Sequence, residues 1–433
     1  MSDPPTAQVT IFSKTPFPGE ADSTLLSKRI SLSAEGKPVS DGSACRMQAG
    51  TAVIAPAADA GTLAWLIEGM LPCNALALGS IVGGNGATMN VVSAAALAKL
   101  PAAQRGNTTI ARTREFITFR AGAPAWMLLD YDLKGMPAHV AAKLDATGGL
   151  WPALLGVAPG LARAARVVRD STSAGLSRSD TGERFPSSGG SHTYLLVEDG
   201  ADIDRTLETL HNRCWLHGLG WFLIGSAGQL LERSIVDAAV RFSERLVFEG
   251  RPDIVPPLLQ DAEARRPQAT EGEPLATRIT VPDLTCDEAA QVEAAKLAAR
   301  RTLEPNARAV CAAADGHLIE EIVRRTGVPH AVAMRQAQAR HRGILGADIQ
   351  LVTDHHGMVT VRQILADPDA FIGETLPDPL EGTSYGWGKA IVMRSQREPG
   401  RVFINSFAHG GATFDLKHDC QGAPRGGADG RTR

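Results

Sequence analysis

Apolar and polar positions follow two patterns in residues 116–239, and each pattern predicts one type of secondary structure. Short alternating or continuous apolar runs predict strands at residues 116–120, 126–132, 193–197 and 221–225. Asp202 is a suitable cap for a helix whose apolar residues share one face, namely Ile203, Leu207, Leu210 and Cys214. Strands and helices mixed with acidic and histidine-bearing loops predict an α+β domain with functional groups on one face of its sheet.

The rest of the chain divides into segments of different composition. Residues 1–50 are polar and rich in Ser, Pro and Gly, and we expect the α+β domain to span residues 51–270, with a helix at 152–169. A helical spacer or bundle is predicted for 271–368, where Ala-rich, charged helices should lie at 286–301, 306–326 and 332–342. Residues 369–433 should form a small C-terminal module that ends in a loose, Gly- and Arg-rich tail.

Composition limits the class of protein. The 433 residues are 44% hydrophobic and 21% charged, which excludes a disordered or fibrous chain. A net charge of −3 provides no overall positive field, although a local basic groove would suffice for nucleic acid. The six cysteines are scattered without a CxxC pair, and no signal peptide or membrane-spanning stretch is evident. We therefore expect a cytoplasmic protein without membrane partners.

Asp130 and Asp132 end the most apolar predicted strand. In extended backbone, side chains two residues apart point to the same face, so these two carboxylates should converge. Adjacent carboxylates repel each other unless a cation neutralises them, and Mg²⁺ or Mn²⁺ prefers such oxygen ligands. The alternative is a strand end whose acidic residues are merely solvated.

His192 follows a run of small residues that includes Gly190 and Ser191. Small residues let backbone N–H groups approach an anion, and an imidazole can donate a hydrogen bond to a phosphate oxygen. These residues therefore indicate a nucleotide-binding element, with an ordinary hydrogen-bonded histidine as the alternative.

Asp237 and Arg245 are the last candidates. Asp237 follows apolar residues and could supply a third carboxylate, and Arg245 could hold phosphates with two parallel hydrogen bonds. Either residue could instead belong to a surface ion pair.

The order of these elements resembles that of the archaeo-eukaryotic primase superfamily, specifically the primase-polymerases of phages and mobile elements. Their motifs are an apolar strand ending in DxD, a small-x-His element before a strand, and an apolar-Asp element. The matching residues are Leu128-Leu129-Asp130-Tyr131-Asp132, Gly190-Ser191-His192 and Val236-Asp237. The family usually has Ser at the position of Gly190. The resemblance covers residues 116–252 and continues more loosely to residue 410.

The resemblance implies an RRM-like catalytic core followed by the helical region and the C-terminal module. Asp130, Asp132 and Asp237 would bind two Mg²⁺ or Mn²⁺ ions, and His192 would contact the phosphates of the incoming NTP or dNTP. The implied activity is a DNA primase or polymerase that copies single-stranded DNA during replication of a phage or mobile element. Because the chain stops shortly after residue 409, the resemblance implies either that a helicase is a separate polypeptide or that this chain is a truncated relative.

Two other functions remain compatible with the sequence. A sugar-nucleotide transferase also uses DxD to bind a metal diphosphate, but the later His and Asp elements are then unexplained. A non-catalytic DNA-binding replication subunit would keep the fold with an idle site. His409, His418 and Cys420 could hint at zinc, although three candidates without a fourth do not make a closed tetrahedral site.

Overall fold

The computed structural model of the chain describes residues 5–15, 24–84, 86–395, 397–398, 400–408 and 411–418. These residues form two compact units. The first comprises residues 1–223 and 232–299, and the second comprises residues 224–231 and 300–433. The α+β class predicted from the sequence is confirmed.

Most elements lie before residue 285. The strands there are β1 (Gln8–Lys14), β2 (Arg29–Leu32), β3 (Pro38–Asp41), β4 (Gly50–Pro56), β5 (Asn74–Ala77), β6 (Ser80–Ile81), β7 (Met89–Val92), β8 (Thr109–Ala111), β9 (Ile117–Thr118), β10 (Ala125–Tyr131), β11 (Arg166–Asp170), β12 (Leu176–Arg178), β13 (Ser191–Val197), β14 (Gly220–Ile224), β15 (Leu230–Ser234), β16 (Asp253–Ile254), β17 (Leu258–Gln260) and β18 (Gln268–Thr270). The helices are α1 (Ala60–Glu68), α2 (Ala94–Ala98), α3 (Ala138–Thr147), α4 (Leu150–Val157), α5 (Ile203–Leu216) and α6 (Thr277–Thr280), followed by α7 (Cys286–Thr326).

The central sheet of the first unit has the strand order β10-β13-β11-β18, and every neighbouring pair is antiparallel. The chain runs from β10 through α3 and α4 to β11, continues to β13, and then enters α5. Strand β13 therefore lies between β10 and β11 and runs opposite to both. Residues far apart in the sequence face each other across these three strands.

The side chains of β10 explain its central position. Residues 125–129 are all apolar and all buried, as expected for a strand that is covered on both faces. Trp126 is fully buried, and its indole N–H donates to the Ala57 carbonyl at 2.8 Å. The predicted apolar face of α5 is also confirmed, because Ile203, Leu207, Leu210 and Cys214 pack in the same core.

A second sheet, with the order β5-β1-β4-β7-β8, brings the N-terminal segment into the fold. Strand β1 pairs with β4 and β5 on its two sides. Phe12 of this strand is fully buried in a core with Ala75 and Ile110. The N-terminal segment, which is polar in overall composition, thus contributes an interior strand to this sheet.

The second unit has its own core and mixes helices with a sheet. Its elements are α8 (His330–Arg340), β19 (Ile344–Gly346), β20 (Gln350–Thr353), β21 (Gly357–Thr360), α9 (Val361–Ala366), α10 (Pro368–Phe371), β22 (Thr375–Leu376), β23 (Ala390–Arg394), β24 (Val402–Ser406) and β25 (Ala412–Lys417). The main sheet has the order β19-β25-β24-β23-β22. Ile322 of α7, Ala333 of α8 and Ile404 of β24 are fully buried together.

Two helix predictions were wrong in detail. The helix predicted at residues 152–169 ends with α4 at Val157, a 3₁₀ turn follows at Pro159–Arg163, and Arg166–Asp170 forms β11. Pro159 lacks a backbone donor, and the β-branched Val167 and Val168 favour a strand. The helices predicted at 286–301 and 306–326 are one helix, α7, with Pro305 inside it.

Among the described residues, no helix has the length and apolar character needed to cross a bilayer.

Candidate active site

Asp130 and His192 face each other directly across β10 and β13. The imidazole Nε2 of His192 lies 3.6 Å from Oδ1 of Asp130. On its other side, His192 is opposite Arg169 of β11. One row across three strands therefore carries an acid, a histidine and an arginine.

The environment of Asp130 disfavours its charge. Burial is the main cause of its raised pKa, and the negative charges of Asp237 and Asp132 raise it further. His192 and Arg245 act in the opposite direction, since their positive charges favour the carboxylate. Four of the residues predicted for the site, from three separate segments, thus influence this one carboxyl group electrostatically.

Asp132 lies just beyond the end of β10, which stops at Tyr131. Its side chain is exposed, and its Oδ1 accepts the backbone N–H of Lys134 at 2.9 Å. Asp130 is therefore fixed by the sheet, whereas Asp132 belongs to the segment that follows.

Asp237 and Arg245 are positioned by a 3₁₀ helix, Ala238–Arg241, that packs against β10. Asp237 caps this helix, because its Oδ1 accepts the Ala239 N–H at 2.8 Å. Nη1 of Arg245 donates to the Ala239 carbonyl at 3.1 Å. These contacts hold an acid and a guanidinium beside the Asp130 strand.

Gly190 and Ser191 lie at the start of β13, where Ser191 is opposite Tyr131. A Cβ atom at Gly190 would lie 3.0 Å from the Tyr131 carbonyl oxygen, which is closer than about nine in ten Cβ contacts in proteins. The Gly190 carbonyl also accepts the Ser171 N–H at 2.9 Å. The close approach of the two backbones gives a physical reason for glycine at this position.

Glu249 holds the other side of the histidine ring. Its Oε1 lies 2.5 Å from Nδ1 of His192 and accepts the Tyr194 hydroxyl at 2.6 Å. Its Oε2 accepts Arg169 at 2.9 Å and Arg265 at 3.2 Å. Glu249 is fully buried, so this carboxylate forms ion pairs with two buried guanidinium groups and also orients the imidazole.

The contacts of Glu249 with His192, Arg169 and Arg265 determine the protonation of these groups. Burial alone would raise the pKa of Glu249, but His192, Arg169 and Arg265 outweigh it and hold that pKa well below the usual range. Burial also lowers the pKa of His192, yet Glu249 and Asp130 together raise it above the usual value. Burial together with the neighbouring Arg169 lowers the pKa of Arg265 to about 10. His192 is therefore poised to carry a proton, with Nε2 on the Asp130 side.

Sequence reasoning missed Glu249, Arg169, Arg265 and Tyr194. Glu249 follows the apolar residues Leu246, Val247 and Phe248. An acid after an apolar run is the same pattern that made Asp237 a candidate. Arg169 belongs to a predicted helix that is in fact a strand, so its alignment with His192 could not be foreseen.

The donor chemistry of the site fits a hard divalent cation, because its carboxylates repel one another and supply oxygen ligands. The ligand atoms of these three carboxylates are not all within 4.8 Å of one another. Those of Cys311, Asp315 and His341 are. Asp130, Asp132 and Asp237 would have to draw closer around an ion. Of the residues considered for zinc, His409 and Cys420 lie outside the described residues, and His418 is exposed.

Comparison with known proteins gave no relative: no family model, no curated protein and no solved structure matches this chain.

Proposed function

We propose that this chain is a metal-dependent nucleotidyltransferase of the primase-polymerase type that acts on single-stranded DNA. One observation carries the proposal: Asp130 and His192 are paired across neighbouring strands, with the charges of Asp237 and Arg245 acting on the same carboxyl group. Segments separated by tens of residues contribute acidic, imidazole and guanidinium groups to one end of a sheet. Such a combination suits the transfer of a nucleotidyl group from a triphosphate to a hydroxyl, with pyrophosphate as the leaving group.

The path of the chain supports an RRM-like core. The first strand β10 and the second strand β11 are joined through helices, and the third strand β13 lies between them, antiparallel to both. This is the split β-α-β arrangement of ferredoxin-like domains. The fourth strand of the sheet, β18, pairs with β11, so the outer edge departs from a simple repeat of that pattern.

Each site residue then has a role. Asp130, Asp132 and Asp237 would hold Mg²⁺ or Mn²⁺, which when bound activates an attacking hydroxyl and neutralises charge on a triphosphate. His192, with its raised pKa, would donate Nε2–H to a phosphate oxygen. Arg245 would contact the phosphates, and Glu249 would hold the imidazole in the required orientation.

The proposed partners follow from this chemistry. The substrates are a nucleoside or deoxynucleoside triphosphate and a single-stranded DNA template. The setting is cytoplasmic replication of a phage or mobile element, with a helicase as a further partner. The alternatives are a non-catalytic DNA-binding subunit and a sugar-nucleotide transferase.

The test is incorporation of labelled nucleotide on a primed and an unprimed single-stranded template with Mg²⁺ or Mn²⁺. We expect Asp130→Asn to reduce incorporation by at least about 100-fold, the typical size of one lost transition-state contact. Asp145→Asn is the matched control, because Asp145 is an exposed acid of α3, and it should retain activity.

Undiminished incorporation by folded Asp130→Asn would contradict the proposal. If the unchanged protein and Asp130→Asn both bind DNA independently of Mg²⁺ and neither incorporates nucleotide, the result would instead indicate the non-catalytic subunit. Metal-dependent turnover of a sugar nucleotide without DNA would indicate the transferase.

A further inference from the structure

A second group of ligand-type side chains lies in the second unit. Cys311 and Asp315 are four residues apart on α7 and so lie on the same face of the helix. His341 is the residue that follows α8. The Cys311 Sγ lies 3.5 Å from Nε2 of His341 and 3.9 Å from Oδ2 of Asp315, and Nε2 lies 2.9 Å from Oδ1 of Asp315.

These separations are close to those around a tetrahedral metal ion. Metal–ligand bonds of about 2.3 Å to sulfur and about 2.0–2.2 Å to nitrogen and oxygen place neighbouring ligand atoms about 3.3–3.6 Å apart. The separations of Sγ from Nε2 and from Oδ2 are within about 0.3 Å of that range, and one ligand atom of each residue lies within 4.8 Å of the others. Small side-chain rotations are therefore sufficient to enclose an ion.

The group keeps one carboxylate oxygen and a route to solvent available for a cation, although Arg340 is a positively charged neighbour. Arg340 donates to Oδ1 of Asp315 at 3.0 Å, which leaves Oδ2 directed at the sulfur. The side chain of His341 is 27% exposed and that of Asp315 is 17% exposed, so an ion and a water molecule can reach the group. Three protein ligands and one open position are a common zinc arrangement.

The donor set also selects the ion. A thiolate, an imidazole and a carboxylate favour a borderline ion such as Zn²⁺, whereas Mg²⁺ and Mn²⁺ favour oxygen ligands alone. This separates the group from the carboxylates around Asp130 in both position and metal preference.

We propose that Cys311, Asp315 and His341 bind a single Zn²⁺-type divalent ion, which ties the C-terminal end of α8 to α7. Binding releases the thiol proton and any proton on Nε2, because only the thiolate and the neutral imidazole are ligands. The proposal is independent of the nucleotidyltransferase function, since it concerns residues of the second unit only.

The test is titration of the tag-free, metal-stripped full chain with Co²⁺, a spectroscopic probe that occupies zinc sites. We expect a thiolate-to-cobalt charge-transfer band that saturates at one ion per chain and disappears on addition of Zn²⁺. Cys311→Ser should abolish the band, and His341→Gln should weaken Co²⁺ binding by about 10-fold or more while keeping the band.

The matched controls are Cys286→Ser and His330→Gln, since both residues are exposed and are the first residues of α7 and α8, away from the proposed ligands. Both controls should bind Co²⁺ like the unchanged protein. Absence of the band in the unchanged protein, or its persistence in Cys311→Ser, would overturn the proposal. If Cys311→Ser fails to fold, the His341→Gln variant provides the test, because His341 is exposed. An affinity for Co²⁺ equal to that of the unchanged protein would then refute the site.

Discussion

Replacing Glu249 by Gln is the sharpest test of how the candidate site is built. The substitution keeps the size of the side chain and one carbonyl oxygen but removes the negative charge. Arg169 and Arg265, whose side chains are 6% and 5% exposed, then lose the carboxylate with which they both form ion pairs. His192 loses the group that contributes most to its raised pKa.

We expect Glu249→Gln to lower the free energy of unfolding by a large amount. Removing one partner of a buried ion pair typically costs about 3–5 kcal/mol, because an uncompensated charge remains inside the protein. The exposed pair Arg29–Asp253, with side chains 60% and 35% accessible, is the comparison. Asp253→Asn should cost no more than about 1 kcal/mol, since solvent screens such a pair.

Urea unfolding followed by tryptophan fluorescence measures both variants, because Trp126 and Trp221 lie in the core of the same unit. The pKa of Glu249 is lowered in the folded protein, so its stabilising contribution is complete above the ordinary Glu pKa of about 4.3 and is lost as the pH falls through the folded value. The difference between Glu249→Gln and the unchanged protein should therefore be largest near neutral pH and should narrow in acid.

Histidine NMR titration supplies the second measurement. The pKa of His192 should lie above the ordinary value of about 6.5 and should fall in Glu249→Gln. The reasoning is refuted if Glu249→Gln is no less stable than Asp253→Asn at neutral pH, or if the pKa of His192 does not change.

Two further predictions concern residues of the same site. Because the folded pKa of Asp130 is raised, its contribution to stability is complete at low pH and is lost as the pH rises through that value. Asp130→Asn should therefore raise the melting temperature at pH 7 while reducing activity, and the gain should shrink below about pH 3.9; a lower melting temperature at pH 7 would contradict the electrostatic argument. Gly190→Ser should destabilise the protein by about 1–3 kcal/mol, because its Cβ would press on the Tyr131 carbonyl. The same change at Gly42, which has open space around it, should cost less than about 0.5 kcal/mol in the same urea assay, and equal effects would argue against crowding at Gly190.

Local sequence patterns predicted part of this structure well. The apolar runs that predicted strands at residues 126–132 and 193–197 correspond to β10 and β13, and the apolar face predicted after Asp202 is the buried face of α5. These features depend on which face of an element is buried, and the spacing of apolar residues records that directly. Site residues at the ends of such apolar runs could be predicted as candidates for the same reason.

The pairing of strands that are far apart in the sequence could not be predicted from these local patterns. The register that places His192 between Asp130 and Arg169 depends on strand order, which the residues of a single strand do not encode. The strand at Arg166–Asp170 was mistaken for helix, since a short apolar run is ambiguous without its neighbours.

By itself, the sequence determined the mixed α+β class, the principal strands of the central sheet and the candidate acids and histidine. Only the tertiary structure decided that a fully buried Glu249 holds His192, that two arginines compensate its charge, and that Cys311, Asp315 and His341 meet. Spacing along the chain reports local burial. Charge compensation in the interior depends on contacts between residues far apart in the sequence, such as Arg169 with Glu249, 80 positions away, which the fold alone brings together.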